Sequence, residues 1–330
     1  MCGIFGILGP QADKDWIAET MQKLFESAEI RGDDASGLAW VDKDENGEFF
    51  VNILKKPVKG TVFAYDEDLM NLLFGDNCPT NIIGHCRGTS QGDESNNENN
   101  HPILGTETGM ALVHNGRVQD FMWRATDDNG DNPFILGEFK AAVDTEAIMR
   151  LLETLLFIPR NEDGTIDPDV VAATPKDQWS KKANVPVLKA IDDTVFNLAG
   201  KNTCALLDPD TPDCVYMWHV ENPLFISFVP SQKAVVFAST EDILKKSLAQ
   251  IETETLFNFF EISRKEVITQ YHGINTKDKS VFQVTWTGKE GDEFEFNWFE
   301  LDPDSADFTS QTSKDREVTA STASNVATVN

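Results

Sequence analysis

Apolar residues fall into short blocks of two kinds along the chain. Some blocks are continuous or alternating, and others recur at three- and four-residue spacing. Residues 3–8 form an apolar run that reads as a buried strand starting almost at the N-terminus. In 13–30, Trp16, Ile17, Met21, Leu24, Phe25 and Ala28 lie on one helical face, with Asp13 as the N-cap. Strands are expected near 38–42 and 49–54, joined by an Asn46-Gly47 turn, and at 81–87, with a short helix at 66–74 between. A polar stretch, 89–100, holds four Asn and three acidic residues. A strand at 110–114 follows, then an acidic, Gly-bearing loop at 123–139. Helix 145–157 carries Ile148, Leu151, Leu152 and Leu155 on one face. Residues 158–180 read as loop and 185–198 as helix. Strand signals return at 203–207, 215–218, 224–229 and 234–238, then a helix at 241–250. Runs at 256–262, 267–271 and 281–286 are β-like, and 293–299 alternates as an edge strand does. From Asp302 onward Ser, Thr, Asp and Ala dominate, which predicts a disordered tail. The division expected is one α+β layered domain over 2–300 and a tail over 301–330.

Composition narrows what such a chain can do. Its 330 residues hold 28 Lys+Arg against 55 Asp+Glu, a formal net charge of −27. That charge excludes binding to a nucleic acid backbone by counterion release, and an anionic membrane surface repels it. No apolar run approaches the roughly 20 residues that span a bilayer. The N-terminus has no basic segment followed by an apolar core, so a soluble, cytoplasmic protein is expected. The five cysteines are odd in number and include no CxxC pair, which argues against a disulfide framework or structural zinc. Cys78, Cys86, Cys204 and Cys214 are expected to act as small buried hydrophobes. The histidines (His85, His101, His114, His219 and His272) have no metal-ligand spacing, and no glycine loop suits a phosphate. Neither metal nor cofactor is expected.

Cys2 stands apart. The small side chain at position two permits removal of Met1, which leaves a thiol and a free α-amine on one residue. Their unperturbed pKa values are roughly 8.5 and 7.7–8.0, so the amine can take the thiol proton near neutrality. Four more segments carry polar residues in a set order. These are Arg31-Gly32-Asp33-Asp34-Ala35-Ser36-Gly37, His85-Cys86-Arg87-Gly88-Thr89-Ser90, His114-Asn115-Gly116 and Asp144-Thr145-Glu146. With Cys2-Gly3-Ile4, this order resembles the class II glutamine amidotransferases of the N-terminal nucleophile type. The likeness is greatest to the glutaminase domains of glucosamine-6-phosphate synthases. Gly200 to Asp208, Asn222-Pro223-Leu224 and Ala238-Ser239-Thr240-Glu241 extend it, so that it covers roughly 2–285.

The resemblance implies a four-layer αββα sandwich. It also implies Cys2 as the nucleophile, with Asn115 (side-chain amide) and Gly116 (backbone N–H) as the oxyanion hole. Arg87 would receive the α-carboxylate of L-glutamine and Asp144 its α-ammonium, with Ser90 and Gln91 as further substrate contacts. Arg31 and Asp33 would brace the N-terminus, and His114 would be structural. Two departures stand out. Gly88 follows the arginine where the family has Trp, and Gln91 replaces a His; both bear on how the loop closes. The function expected is hydrolysis of the glutamine amide through a Cys2 thioester, giving glutamate and ammonia for a separate synthase subunit. The alternatives are a stand-alone hydrolase of another γ-glutamyl or amide substrate, and a scaffold of the same fold without activity.

Overall fold

The first strand, β1 (Gly3–Leu8), is buried along its whole length. Alternate side chains point opposite ways, as a period of two requires. Phe5 and Ile7 join a core shared with helices, while Ile4 and Leu8 join a core between two sheets. The computed structural model describes residues 2–118, 139–161, 166, 174, 179, 187–197, 200–248, 261–263, 266–268, 279–290 and 292–300.

One six-stranded sheet has β1 near its centre. It runs in the order β3 (Phe49–Lys56), β2 (Ala35–Lys43), β4 (Asn81–Arg87), β1, β10 (Ala234–Ala238), β9 (Phe225–Val229). The second six-stranded sheet runs β14 (Asp292–Glu300), β13 (Lys279–Lys289), β8 (Cys214–Val220), β7 (Gly200–Leu207), β6 (Ala111–Val118), β5 (Ile103–Leu104). All pairings recorded in the two sheets are antiparallel. A separate hairpin pairs β11 (Glu261–Ser263) with β12 (Glu266–Ile268).

Three cores define the layers. Ile4, Ile83, Val235 and Phe237 of the first sheet meet Val113, Ala205, Met217 and Val284 of the second. Outside the first sheet lie α1 (Lys14–Ala28), α2 (Gly60–Phe63), α3 (Glu67–Leu73) and α6 (Glu241–Leu248), packed on Phe5, Ile82 and Val236. Outside the second lie α4 (Asp144–Phe157) and α5 (Val187–Asn197), packed on Leu112, Leu206 and Trp218. The result is the αββα sandwich that the resemblance implied. Each fully buried Leu, Ile or Phe contributes roughly 1.5–3 kcal/mol of transfer free energy, so all three cores favour this layering.

Local signals explain most element starts. The Asp13 carboxylate accepts the Trp16 N–H at 3.0 Å and caps α1, a contact worth about 1 kcal/mol. Asp66 caps α3 in the same way. Cys78, Cys86, Cys204 and Cys214 are buried. The largest difference from the sequence reading lies in β6, expected to stop at His114. It continues through Asn115 and Gly116 to Val118, because β7 supplies a paired partner for each of them. Of the β-like run expected at 256–262, only 261–262 are described. Residues 119–138, most of 162–186 and 301–330 lie outside the described residues, with the loop and tail expected there. Among the described residues, no helix is long and apolar enough to cross a membrane.

Candidate active site

The same alternation that builds the cores aims the polar residues. Position 2 precedes β1 on the side of Ile4, so its side chain turns toward the second sheet. On β6, Val113 faces the first sheet, and so does Asn115 two residues later. The two meet across the sandwich, with the Cys2 backbone nitrogen donating to Asn115 Oδ1 at 3.0 Å. That contact turns the amide so that Nδ2 is left for another partner. The main-chain oxygen of Asn115 accepts from Asn222 Nδ2 at 3.0 Å, which fixes the strand at this point.

Cys2 is held from three sides. Its carbonyl accepts from Arg31 Nε at 3.0 Å, so Arg31 braces the N-terminus. The Sγ atom lies 3.7 Å from the Gly88 carbonyl. Burial pushes the thiol pKa up, so at neutral pH the group is a thiol in need of a base. Asp34 ties the segment beyond Arg87 in place: its N–H donates to Arg87 O at 3.0 Å, and its carboxylate accepts from Thr89 N at 2.6 Å. Gly32 lies against the same turn, where a Cβ would stand 2.2 Å from both Arg87 C and Gly88 N. A polar cleft of about 770 Å³ opens behind this brace, between Arg31, Asp34, Gly88, Thr89 and Lys246. Cys2 and Asn115 do not line it, but Arg31 and Gly88, which both touch Cys2, do.

Arg87 ends β4 on the inner face and is buried. Its Nη1 donates to Asn100 Oδ1 at 2.7 Å, and its Nη2 to the carbonyls of Gln91 and Gly92, the latter at 3.0 Å. The guanidinium thus holds the polar loop. Gln91 enters through its main chain, while its side-chain Oε1 is buried without a partner. Ser90 is exposed and does not join this group.

Asp144, Thr145 and Glu146 each use their side chain at the start of α4. Asp144 Oδ2 accepts from Val118 N at 2.8 Å, and Oδ1 lies 3.6 Å from His114 Nδ1. Burial works against its charge, but the His114 ring and the Val118 amide outweigh that and hold its pKa below the usual carboxylate value. Thr145 Oγ1 is 3.0 Å from His114 Nδ1 and 2.6 Å from His101 Nε2. Glu146 reaches back to the Lys140 and Ala141 N–H groups, in the segment that leads into the helix. His85 stacks on His101, with ring centroids 4.1 Å apart, and its Nε2 bonds to His114 O at 3.0 Å. Burial pushes the His85 pKa down to about 3, so the ring is neutral with its proton on Nε2. Asn100 and His101 have no site role in the sequence pattern, and Thr145 enters it only as the middle of the Asp144-Thr145-Glu146 segment. Among the described residues, no group of three or more His, Cys, Asp or Glu side chains is placed to hold a metal ion.

Gly116 meets a tight constraint. Its φ is +156°, and a Cβ there would lie 2.1 Å from Lys201 O and 2.6 Å from Asn202 Cα. Both atoms are backbone of the paired strand β7 and cannot yield. Gly116→Ala is expected to cost about 3 kcal/mol or more of stability, measured by urea unfolding. A loss below about 1 kcal/mol would show that β6 and β7 can part without penalty.

No family model matches the chain. In sequence it is similar to a glutamine–fructose-6-phosphate aminotransferase of Chlamydia muridarum, with 28% identity over 298 residues, 86% of this chain and 41% of that protein. The enzyme of the same name from Listeria innocua is 32% identical over 153 residues, 46% of this chain and 22% of that one. In fold it is similar to the glutamine phosphoribosylpyrophosphate amidotransferase of B. subtilis, with TM-score 0.54 and 14% identity, covering 92% of this chain and 50% of that one. The chain is thus similar in sequence to glutamine-dependent aminotransferases and in fold to a glutamine amidotransferase. A further solved structure, described as the allosteric regulatory enzyme of purine biosynthesis, matches with TM-score 0.59 at 14% identity and the same coverage. The chain spans less than half the length of these two aminotransferase relatives.

Proposed function

We propose that the chain hydrolyses the side-chain amide of L-glutamine, through a thioester on Cys2, to glutamate and ammonia. The observation that carries this reading is the 3.0 Å contact between the Cys2 nitrogen and Asn115 Oδ1, at a half-buried thiol beside Arg87. The names of the relatives make glutamine their nitrogen donor, in keeping with this substrate.

In the proposed cycle, removal of Met1 frees the α-amine of Cys2. The amine takes the proton from Sγ, and sulfur attacks the amide carbon. Asn115 Nδ2 and the Gly116 N–H stabilise the oxyanion, a contribution of roughly 3–4 kcal/mol for a donor well placed toward the developing charge. The amine returns its proton to the leaving nitrogen, and water then hydrolyses the thioester. Arg87 receives the α-carboxylate and Asp144, held ionised, the α-ammonium. Gln91 contributes from the loop. The ammonia passes to an acceptor in a separate subunit, in a reducing, cytoplasmic setting that suits free thiols. The catalytic unit is residues 2–300.

A second reading, hydrolysis of another γ-glutamyl or amide substrate, draws support from the share of the Arg87 guanidinium already taken by the loop. Intact mass spectrometry after treatment with a diazoketone analogue of glutamine separates the two. Loss of Met1 and a single adduct on Cys2 are expected, blocked by glutamine. A retained Met1 would remove the base, and an adduct that glutamine fails to block would favour the second reading.

A further inference from the structure

Lys55 lies on β3, outside the group of residues around Cys2. Its ammonium donates to the carbonyl of Asn100 at 2.7 Å and to that of Pro102 at 3.0 Å. Its own carbonyl accepts from Asn97 Nδ2 at 2.8 Å. The cation therefore grips both flanks of His101. Burial is the main influence on it and pushes its pKa down to about 8; Glu98 favours the charge and Arg87 opposes it.

The gripped dipeptide, Asn100-His101, is buried and reaches two ways. Asn100 Oδ1 takes Arg87 Nη1 at 2.7 Å. Its Nδ2 is spent inside the loop, on Glu94 O at 2.8 Å and Asn97 Oδ1 at 3.1 Å. His101 Nε2 goes the other way to Thr145 Oγ1 at 2.6 Å, and Thr145 is adjacent to Asp144 and bonded to the His114 ring that faces it. Neighbouring residues thus tie Arg87 to the start of α4. A zwitterion has its carboxylate and ammonium at a fixed separation, and a site for it needs its cation and anion held at a matching one.

We propose that Lys55 is a positioning residue for glutamine: by holding Asn100-His101 from outside, it sets the spacing between Arg87 and Asp144. This rests on the reading of those two residues as the anchors of the amino-acid head group. Lys55 touches no reacting atom, so its loss acts on recognition of the head group and leaves the thiol chemistry alone. Charge-assisted bonds to two carbonyls are stronger than neutral ones, so an uncharged side chain of similar length does not replace them.

The test compares two alkylating reagents on Cys2 in the full chain. The diazoketone analogue of glutamine carries the α-carboxylate and α-ammonium, and iodoacetamide carries neither. In Lys55→Met, the half-saturating concentration of the analogue and the KM for glutamine are each expected to rise about tenfold, while kcat stays within about twofold. The iodoacetamide rate is expected to change by less than about twofold, because the thiol and its base are untouched. Lys55→Arg keeps the charge and is expected to recover most of the affinity. Unchanged half-saturation in Lys55→Met would overturn the proposal, as would an equal slowing of both reagents, which marks a general structural brace. Failure of the unsubstituted protein to show saturable labelling by the analogue would take down the glutamine reading itself, and this proposal with it.

Discussion

Cys2→Ala is expected to leave the sandwich folded and to lower glutamine hydrolysis by at least about 10³-fold. The contacts that hold residue 2 are mostly those of its backbone. The nitrogen meets Asn115, the carbonyl meets Arg31, and Ala keeps both. The side chain itself makes only the 3.7 Å contact to Gly88 O, so little stability depends on it. The proposed chemistry depends on it entirely, and Cys86, the next thiol along β4, points into the helix-side core. Ammonia release by the variant measures the first effect and a thermal melt the second. A folded variant that still released ammonia at the original rate would remove Cys2 as nucleophile.

Asn115→Ala is expected to lower kcat by about 10²–10³-fold with little change in KM. Alanine takes away two things at once. It removes the acceptor for the Cys2 nitrogen and the amide donor proposed for the oxyanion. Asn115→Asp separates them, because the carboxylate still accepts from Cys2 but donates nothing. If the donor is what matters, Asp is as poor as Ala. A kcat near the original for Asn115→Asp would assign Asn115 to holding the amine alone. The strand around it is secured by Asn222 and by pairing with β7, so neither variant is expected to unfold.

Much of the fold was legible because it is written in local periods. The apolar run at 3–8, the helical face from Trp16 to Ala28 and the strand at 81–87 all appear at or within two residues of where the pattern put them. The extent of β6 was not legible. Asn115-Gly116 is also a turn dipeptide, and only the pairing with Thr203 and Asn202 on β7 decides in favour of a strand. The candidate site divides in the same way. Cys2, Asn115, Arg87 and Asp144 were named from an order of short segments that resembles a family. That order carried no distances.

What the sequence determined by itself is parity and chemistry. A period of two along β1, β4 and β6 places position 2, Arg87 and Asn115 on inward faces once the apolar residues choose theirs. Residue type decides which of them can attack, donate or carry charge. What only the tertiary structure decided is who meets whom. Cys2 and Asn115 are 113 positions apart, Lys55 and Asn100 are 45, and His101 and Thr145 are 44. A hydrogen bond across such a separation depends on how two sheets and a helix stack, and that stacking is set by the summed burial of three cores rather than by any local run of residues. For that reason the strap from Lys55 through Asn100-His101 to Arg87 and Asp144 has no signature along the chain and is visible only in the fold.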